Sequence, residues 1–84
     1  MSHAVAVMPR VQKELARLPP GIYEAVRDTI RALGENPRPS GYTKLTGREG
    51  WRIRVGSYRI IYEIDDGERD VTVLHVGHRR EVYR

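Results

Sequence analysis

The apolar residues of this chain change their period once, and that change decides what the chain can fold into. Before a loop rich in breakers, Asn36-Pro37-Arg38-Pro39-Ser40-Gly41, they recur at helical spacing: Val11, Leu15 and Leu18, then Ile22, Val26, Ile30 and Leu33. After it they alternate with polar residues, as in Trp51-Arg52-Ile53-Arg54-Val55. The first pattern buries one stripe of a helix and the second buries one face of a strand. Pro9 suits the first position of a helix, where its missing N–H costs nothing. Pro19-Pro20-Gly21 ends that helix, and Gly34 is expected to cap the second one. Two helices joined so tightly form an antiparallel hairpin.

Strands flank this hairpin in the sequence. Ala4-Val5-Ala6-Val7-Met8 reads as a short opening strand. Gly56-Ser57 makes a two-residue turn from the Trp51 strand into Tyr58-Arg59-Ile60-Ile61-Tyr62-Glu63-Ile64. A polar loop, Asp65 to Asp70, leads to Val71-Thr72-Val73-Leu74-His75-Val76, which is expected to end at Gly77. The order β-α-α-β-β-β predicts an α+β fold, with the helical hairpin on one face of a small, mainly antiparallel, four-stranded sheet. At 84 residues, positions 1–84 are expected to form one domain. There is no cysteine to staple it, no apolar run near the ~20 residues of a membrane span, and no leader-like segment. A soluble, cytoplasmic protein that does not engage a membrane is therefore expected.

Charge narrows the function. Fifteen basic residues against eleven acidic ones give +4, and thirteen of the fifteen are arginine; only Lys13 and Lys44 are lysine. A guanidinium is a planar fork of donors matched to phosphate, so a polyanion or an acidic protein is one reading. A soluble surface that simply uses arginine is the other. Strand alternation places Arg52 and Arg54 opposite Trp51, Ile53 and Val55, either as a solvated strand face or as a phosphate clamp. Arg59, just past the turn, either joins that patch or pairs with Glu63 or Glu49. Arg79, Arg80 and Tyr83 form a basic tail, either a frayed terminus or a segment that grips a phosphate and stacks on a base.

Among the histidines, His3 reads as a solvated residue near the amino terminus and His75 as part of the sheet face. His78 is the best-placed acid or base, because histidine titrates near neutrality and arginine does not. Strict alternation puts it on the core side, so it reaches the Arg79 side only if the strand kinks at Gly77. No spacing of His, Asp or Glu argues for a metal, and no cofactor motif is present. There is no serine nucleophile elbow and no cysteine nucleophile.

Three segments together resemble the RelE branch of the RelE/ParE toxin superfamily. They are Lys44-Leu45-Thr46-Gly47, the run from Trp51 to Glu63, and Val76-Gly77-His78-Arg79-Arg80-Glu81-Val82-Tyr83. The match covers nearly the whole chain, helical hairpin included. The resemblance implies the toxin of a type II toxin–antitoxin pair: a metal-independent endoribonuclease that cleaves mRNA, in the best-known members within the ribosomal A site. It also implies a cognate antitoxin that wraps the toxin in a hetero-oligomer and covers the basic face. Matching positions give Arg52, Arg54, Arg59 and Arg79 to the scissile phosphate and Tyr83 to orienting the RNA. His78 is the candidate for proton transfer, and Lys44, Arg48 and Arg80 are further RNA-binding positions. One departure matters: lysines stand where Arg52 and Arg54 stand here, one of them proposed as the general acid, and arginine is a poor acid. No C-terminal helix is expected beyond Arg84. Two readings from other classes stand beside this one. A ParE-like gyrase poison shares the fold without this arginine and tyrosine constellation, and a plain RNA- or protein-binding module would hold a ligand without cutting it.

Overall fold

A computed structural model describes residues 2–78. A short strand, β1 (Ala4–Val7), leads directly into α1 (Pro9–Ala16) and α2 (Pro20–Glu35). There follow β2 (Thr43–Lys44), β3 (Trp51–Val55), β4 (Tyr58–Asp65) and β5 (Asp70–His78). The sheet order is β1-β5-β4-β3-β2, with β1 parallel to β5 and every other pair antiparallel. The α+β class follows from the sequence as expected. Among the described residues the strand count is five, because Thr43 and Lys44 pair with Arg52 and Trp51. Two residues carry no period, so composition gave no sign of that strand.

Both helices begin with proline in the first turn, after an extended residue, Met8 or Pro19. Their apolar stripes meet the sheet face built by alternate strand residues. Val11, Val26, Ile30 and Leu33 pack on Ile60, Tyr62, Val71, Val73 and Val76, flanked by Trp51, Ile53 and Val55. The opposite sheet face carries a much smaller cluster, Leu45 and Ile61 with Leu74 beside them. Tyr62 is fully buried, and its hydroxyl donates to the Pro37 carbonyl at 2.7 Å. Burial pushes the phenol up to about 12. That bond ties the proline-rich loop to the core. Gly56, at φ 60, takes the first central position of the β3–β4 turn, a conformation that costs glycine little.

Gly34 does not cap α2. The helix runs on to Glu35, Asn36 follows as an extended cap residue, and Gly34 is buried in the last turn. A Cβ there would lie 3.0 Å from both the His3 carbonyl oxygen and a Val5 methyl. The glycine is needed for close packing: the Gly34 carbonyl accepts from the His3 N–H at 2.6 Å, which holds β1 against the helix.

The short β1 sets the docking of α1. β1 pairs with β5 only as far as Val73, and Met8 N–H then donates to the Val73 carbonyl at 3.0 Å. Beyond that point β5 would present an open edge. Two α1 side chains one turn apart close it. Arg10 Nε donates to the Leu74 carbonyl at 2.8 Å, and the Val76 N–H donates to Glu14 Oε1 at 2.8 Å.

At the far end, Arg38 donates to both carboxylate oxygens of Asp66, at 3.2 and 2.8 Å. His3 Nε2 lies 3.3 Å from the same carboxylate. Arg38 first, and His3 second, hold the Asp66 carboxyl below the usual aspartate value. A depressed carboxyl contributes stability above its unfolded-state value, and that contribution is lost as the pH falls through the folded value. Asp66→Asn is therefore expected to flatten the acid limb of a urea-midpoint profile below about pH 4. The effect will be small, because the pair is exposed and salt screens it. Gly34→Val is expected to lower the unfolding free energy by about 1–3 kcal/mol through overpacking. Gly21→Ala, where nothing lies within 4 Å of the added carbon, should leave stability unchanged or slightly raised in the same urea titration.

Candidate functional site

Strand alternation places the arginines as the sequence implies. Trp51, Ile53 and Val55 face the helices, so Arg52 and Arg54 project from the other face of β3. The β3–β4 register sets Arg54 directly opposite Arg59, and Arg52 opposite Ile61. Arg59 therefore joins the patch. On its other side Arg59 registers with Gly77 of β5, which has no side chain to crowd the guanidinium. Arg54 is exposed and Arg59 is 7% exposed. Directly opposed residues have Cβ atoms about 4.5–5.5 Å apart, and like charges at that spacing destabilise a sheet. Two opposed arginines with a third two residues away suit a multiply charged anion.

The face is polar along its length. Arg59 and Glu63 stand on one side of β4, Arg59 near the Gly56 turn and Glu63 toward the opposite end. There Glu49, Glu63, Asp65, Asp66 and Asp70 line a cavity of about 380 Å³. An RNA-sized anion would be drawn to one end of the sheet and repelled from the other. Beside the basic end lies a cavity of about 180 Å³ lined by Thr43, Thr46, Arg48, Arg52 and Ile61. Arg48 thus adjoins the arginine face.

Lys44 lines the same cavity, and its ammonium is engaged with backbone carbonyls. It registers with Trp51, and its Nζ donates to the Arg48 carbonyl at 3.0 Å and the Gly50 carbonyl at 3.4 Å. The same ammonium sits 5.4 Å from the centre of the Trp51 ring. These contacts brace the β2–β3 loop.

The last strand departs from strict alternation, and not at Gly77. A bulge sets Leu74 and His75 against the single residue Ile61, so that Tyr62 pairs with Val73 and Ile61 with His75. Beyond the bulge Val76 returns to the helix side and His78 registers with Tyr58. Their rings meet edge to face at 5.6 Å. Tyr58 itself pairs with the helix-facing Val55, so His78 lies across the sheet from the arginines. His75, by contrast, stands in the row of Ile61, two residues from the Gly77 that neighbours Arg59. Its Nδ1 faces the Glu14 carboxylate, with the side chains 23% and 19% exposed. Glu14, Arg17, Tyr58, His75 and His78 line a cavity of about 400 Å³ at the β5 edge.

Glu14 is the residue the sequence reading missed. Its only mark there is its position one helical turn after Arg10, the pair that now reaches β5. His3, read as solvated, is tied into the Asp66 network. Arg79, Arg80 and Tyr83 lie outside the described residues. Among the described residues no helix is long and apolar enough to cross a membrane.

The chain is similar to known proteins over nearly its whole length. The family model for the ParE toxin of type II toxin-antitoxin system, parDE, matches residues 5–83. Toxin RelG of Mycobacterium tuberculosis is 35% identical, over 100% of this chain and 99% of its own length. The toxin–antitoxin complex RelBE2 from the same organism superposes with a TM-score of 0.81 at 30% identity, over 94% of this chain and 100% of that one. The archaeal RelE–RelB complex from Pyrococcus horikoshii gives a TM-score of 0.84 at 26% identity, over 96% and 99%. Matched by that family model over residues 5–83 and 35% identical to a curated toxin along the whole chain, this chain belongs to the RelE branch of the RelE/ParE superfamily, the toxins of type II toxin–antitoxin systems.

Proposed function

We propose that this toxin is an endoribonuclease that cuts mRNA in the ribosomal A site and is silenced by a cognate antitoxin that covers its arginine face. The observation that carries the reading is the cross-strand pair Arg54 and Arg59 with Arg52 on the same face. Three guanidinium groups on one face offer planar forks of donors matched to the several oxygens of a phosphate. The RelE relatives named above support the choice of RNA, and the solved complexes support an antitoxin partner in a hetero-oligomer. The cytoplasm, where translating ribosomes are found, is the compartment this reading requires.

The chemistry is attack of a 2′-oxygen on the adjacent phosphorus, in line with the departing 5′-oxygen. The 2′-O–P bond forms, the P–O5′ bond breaks, and the products end in a 2′,3′-cyclic phosphate and a 5′-hydroxyl. Arg52, Arg54 and Arg59 hold the non-bridging oxygens and neutralise the charge that builds on them in the transition state. By the resemblance, Arg79 adds a further phosphate contact and Tyr83 orients the RNA. Much of the acceleration comes from fixing the RNA in line, which a ribosome-held message supplies. Arginine does not exchange protons near neutrality, so the face stabilises charge and another group must move the proton. His78, across the sheet, would have to leave its strand to serve.

Single-turnover cleavage of a message held with a defined codon in the A site tests this. Arg54→Ala and Arg59→Ala should each slow cleavage by roughly 10²–10³-fold. Arg31→Ala, which removes the same charge from the exposed side of α2, should leave it unchanged. Equal loss for all three would reduce the face to nonspecific attraction. Intact message together with stalled DNA replication would favour a gyrase poison.

A further inference from the structure

We propose that the small cavity beside Arg52 is a subsite for one unpaired nucleobase of the RNA, next to the phosphate that the arginine face holds. This rests on the endoribonuclease reading and deepens it. Contacts to phosphate fix position and carry no sequence information, whereas a contact to a base does.

Strand register puts the cavity where a base would have to be. Thr43 of β2 registers with Arg52 of β3, and Arg52 with Ile61 of β4. All three line the cavity of about 180 Å³. The next row of the same face is Arg54 opposite Arg59, two residues along the strands. That step is about 6–7 Å, a span that one nucleotide covers between its phosphate and its base. Arg52 both lines the cavity and belongs to the arginine face, so a phosphate held there has the cavity directly beside it.

The lining has the two kinds of surface that a base requires. Leu45 and Ile61 are buried, at 8% and 2% exposure, and cluster with Leu74 to make an apolar floor. Thr43, Thr46 and Arg48 stand exposed around it. Aliphatic groups cover the face of a flat ring, and hydroxyl and guanidinium groups bond to its edge. Single-stranded RNA is read in this way, by bases splayed out of the stack, and a paired base has no free edge to offer. The volume is below the roughly 300–1,000 Å³ of sites for drug-sized ligands. It suits one ring system and leaves the sugar and phosphate on the arginine face.

The outer wall of the cavity is braced from within the protein. The loop from Leu45 to Gly50 is closed by the Leu45 N–H, which donates to the Gly50 carbonyl at 3.1 Å. Lys44 Nζ ties down the carbonyls of Arg48 and Gly50. Gly47 and Gly50 turn the chain at φ 74 and 115, where other residues are strained. A Cβ at position 50 would also lie 3.2 Å from both a Leu45 methyl and the Tyr62 carbonyl oxygen. A wall fixed in advance lowers the ordering cost of binding. Lys44 is in this arrangement a positioning residue, which holds the loop that carries Thr46 and Arg48.

Removing bases from the message one at a time tests this. Ribosomes carry messages with a single abasic ribonucleotide, which keeps its 2′-hydroxyl, at each position flanking the scissile bond. Wild type is compared with Thr43→Met and Thr46→Leu, with unfolding midpoints measured alongside. Each variant trades a hydroxyl at the rim for aliphatic bulk, and the two come from different segments, so that one serves if the other fails to fold. Wild type should lose about 10-fold in single-turnover rate when one particular flanking base is removed. Each variant should cut the intact message about 10-fold more slowly than wild type. Removing the same base should then cost the variants nothing further, because the space is already filled. A wild type indifferent to base removal at every position overturns the proposal without recourse to a variant. An abasic penalty as large in both variants as in wild type puts the base elsewhere and overturns it too. Both of those results leave the nuclease reading standing. A wild type that cuts no message, intact or abasic, overturns the nuclease reading and this proposal with it.

Discussion

β5 has an edge that β1 is too short to cover, and closing that edge organises the molecule. Four residues of β1 pair with β5 and stop at Val73. Proline then starts a helix at once, and the helix lies along the uncovered part of the strand. Arg10 takes a carbonyl and Glu14 takes an N–H, so a ladder is continued by side chains where no strand is available. Backbone groups left unpaired there would each cost about 1–3 kcal/mol. The same docking turns Val11 into the core against β5. It also brings the Glu14 carboxylate to His75.

The two faces of the sheet do different work. The helix side holds nearly all of the buried apolar residues. Among the described residues the other side buries Leu45, Ile61 and Leu74 beside Arg59 and is otherwise given over to charge, basic at the β3–β4 turn and acidic at the opposite end. The small cluster on that face matters all the same, because Ile61 separates the arginine row from the bulge that re-aims His75.

Period was the legible part of the sequence. The switch from 3.6 to 2 placed the helices and the three long strands. Alternation alone placed Arg52 and Arg54 on one face, and a two-residue turn carried Arg59 to them. Gly34 was misread because a glycine near a helix end looks the same whether it caps the helix or admits a neighbouring backbone. β2 was invisible because two residues have no period. The bulge is the most instructive case. The buried positions Val71, Val73 and Val76 step by two and then by three, which is a trace of the extra residue. Without the partner strand that step reads equally well as the end of the strand, so His78 drew attention and His75 did not. Glu14 acts through a strand more than sixty residues away in the sequence, a distance no local pattern spans.

The proposed function requires the arginine face to stabilise attack by a 2′-oxygen on a ribosome-held phosphate. Cleavage of a message that carries a single 2′-deoxynucleotide on the 5′ side of the scissile bond, read by primer extension, tests it most directly. An unmodified message should be cut to a 2′,3′-cyclic phosphate and a 5′-hydroxyl end, and a deoxy-substituted message should be left whole at that bond. Equal cleavage of both messages, or ends bearing a 5′-phosphate, would contradict it.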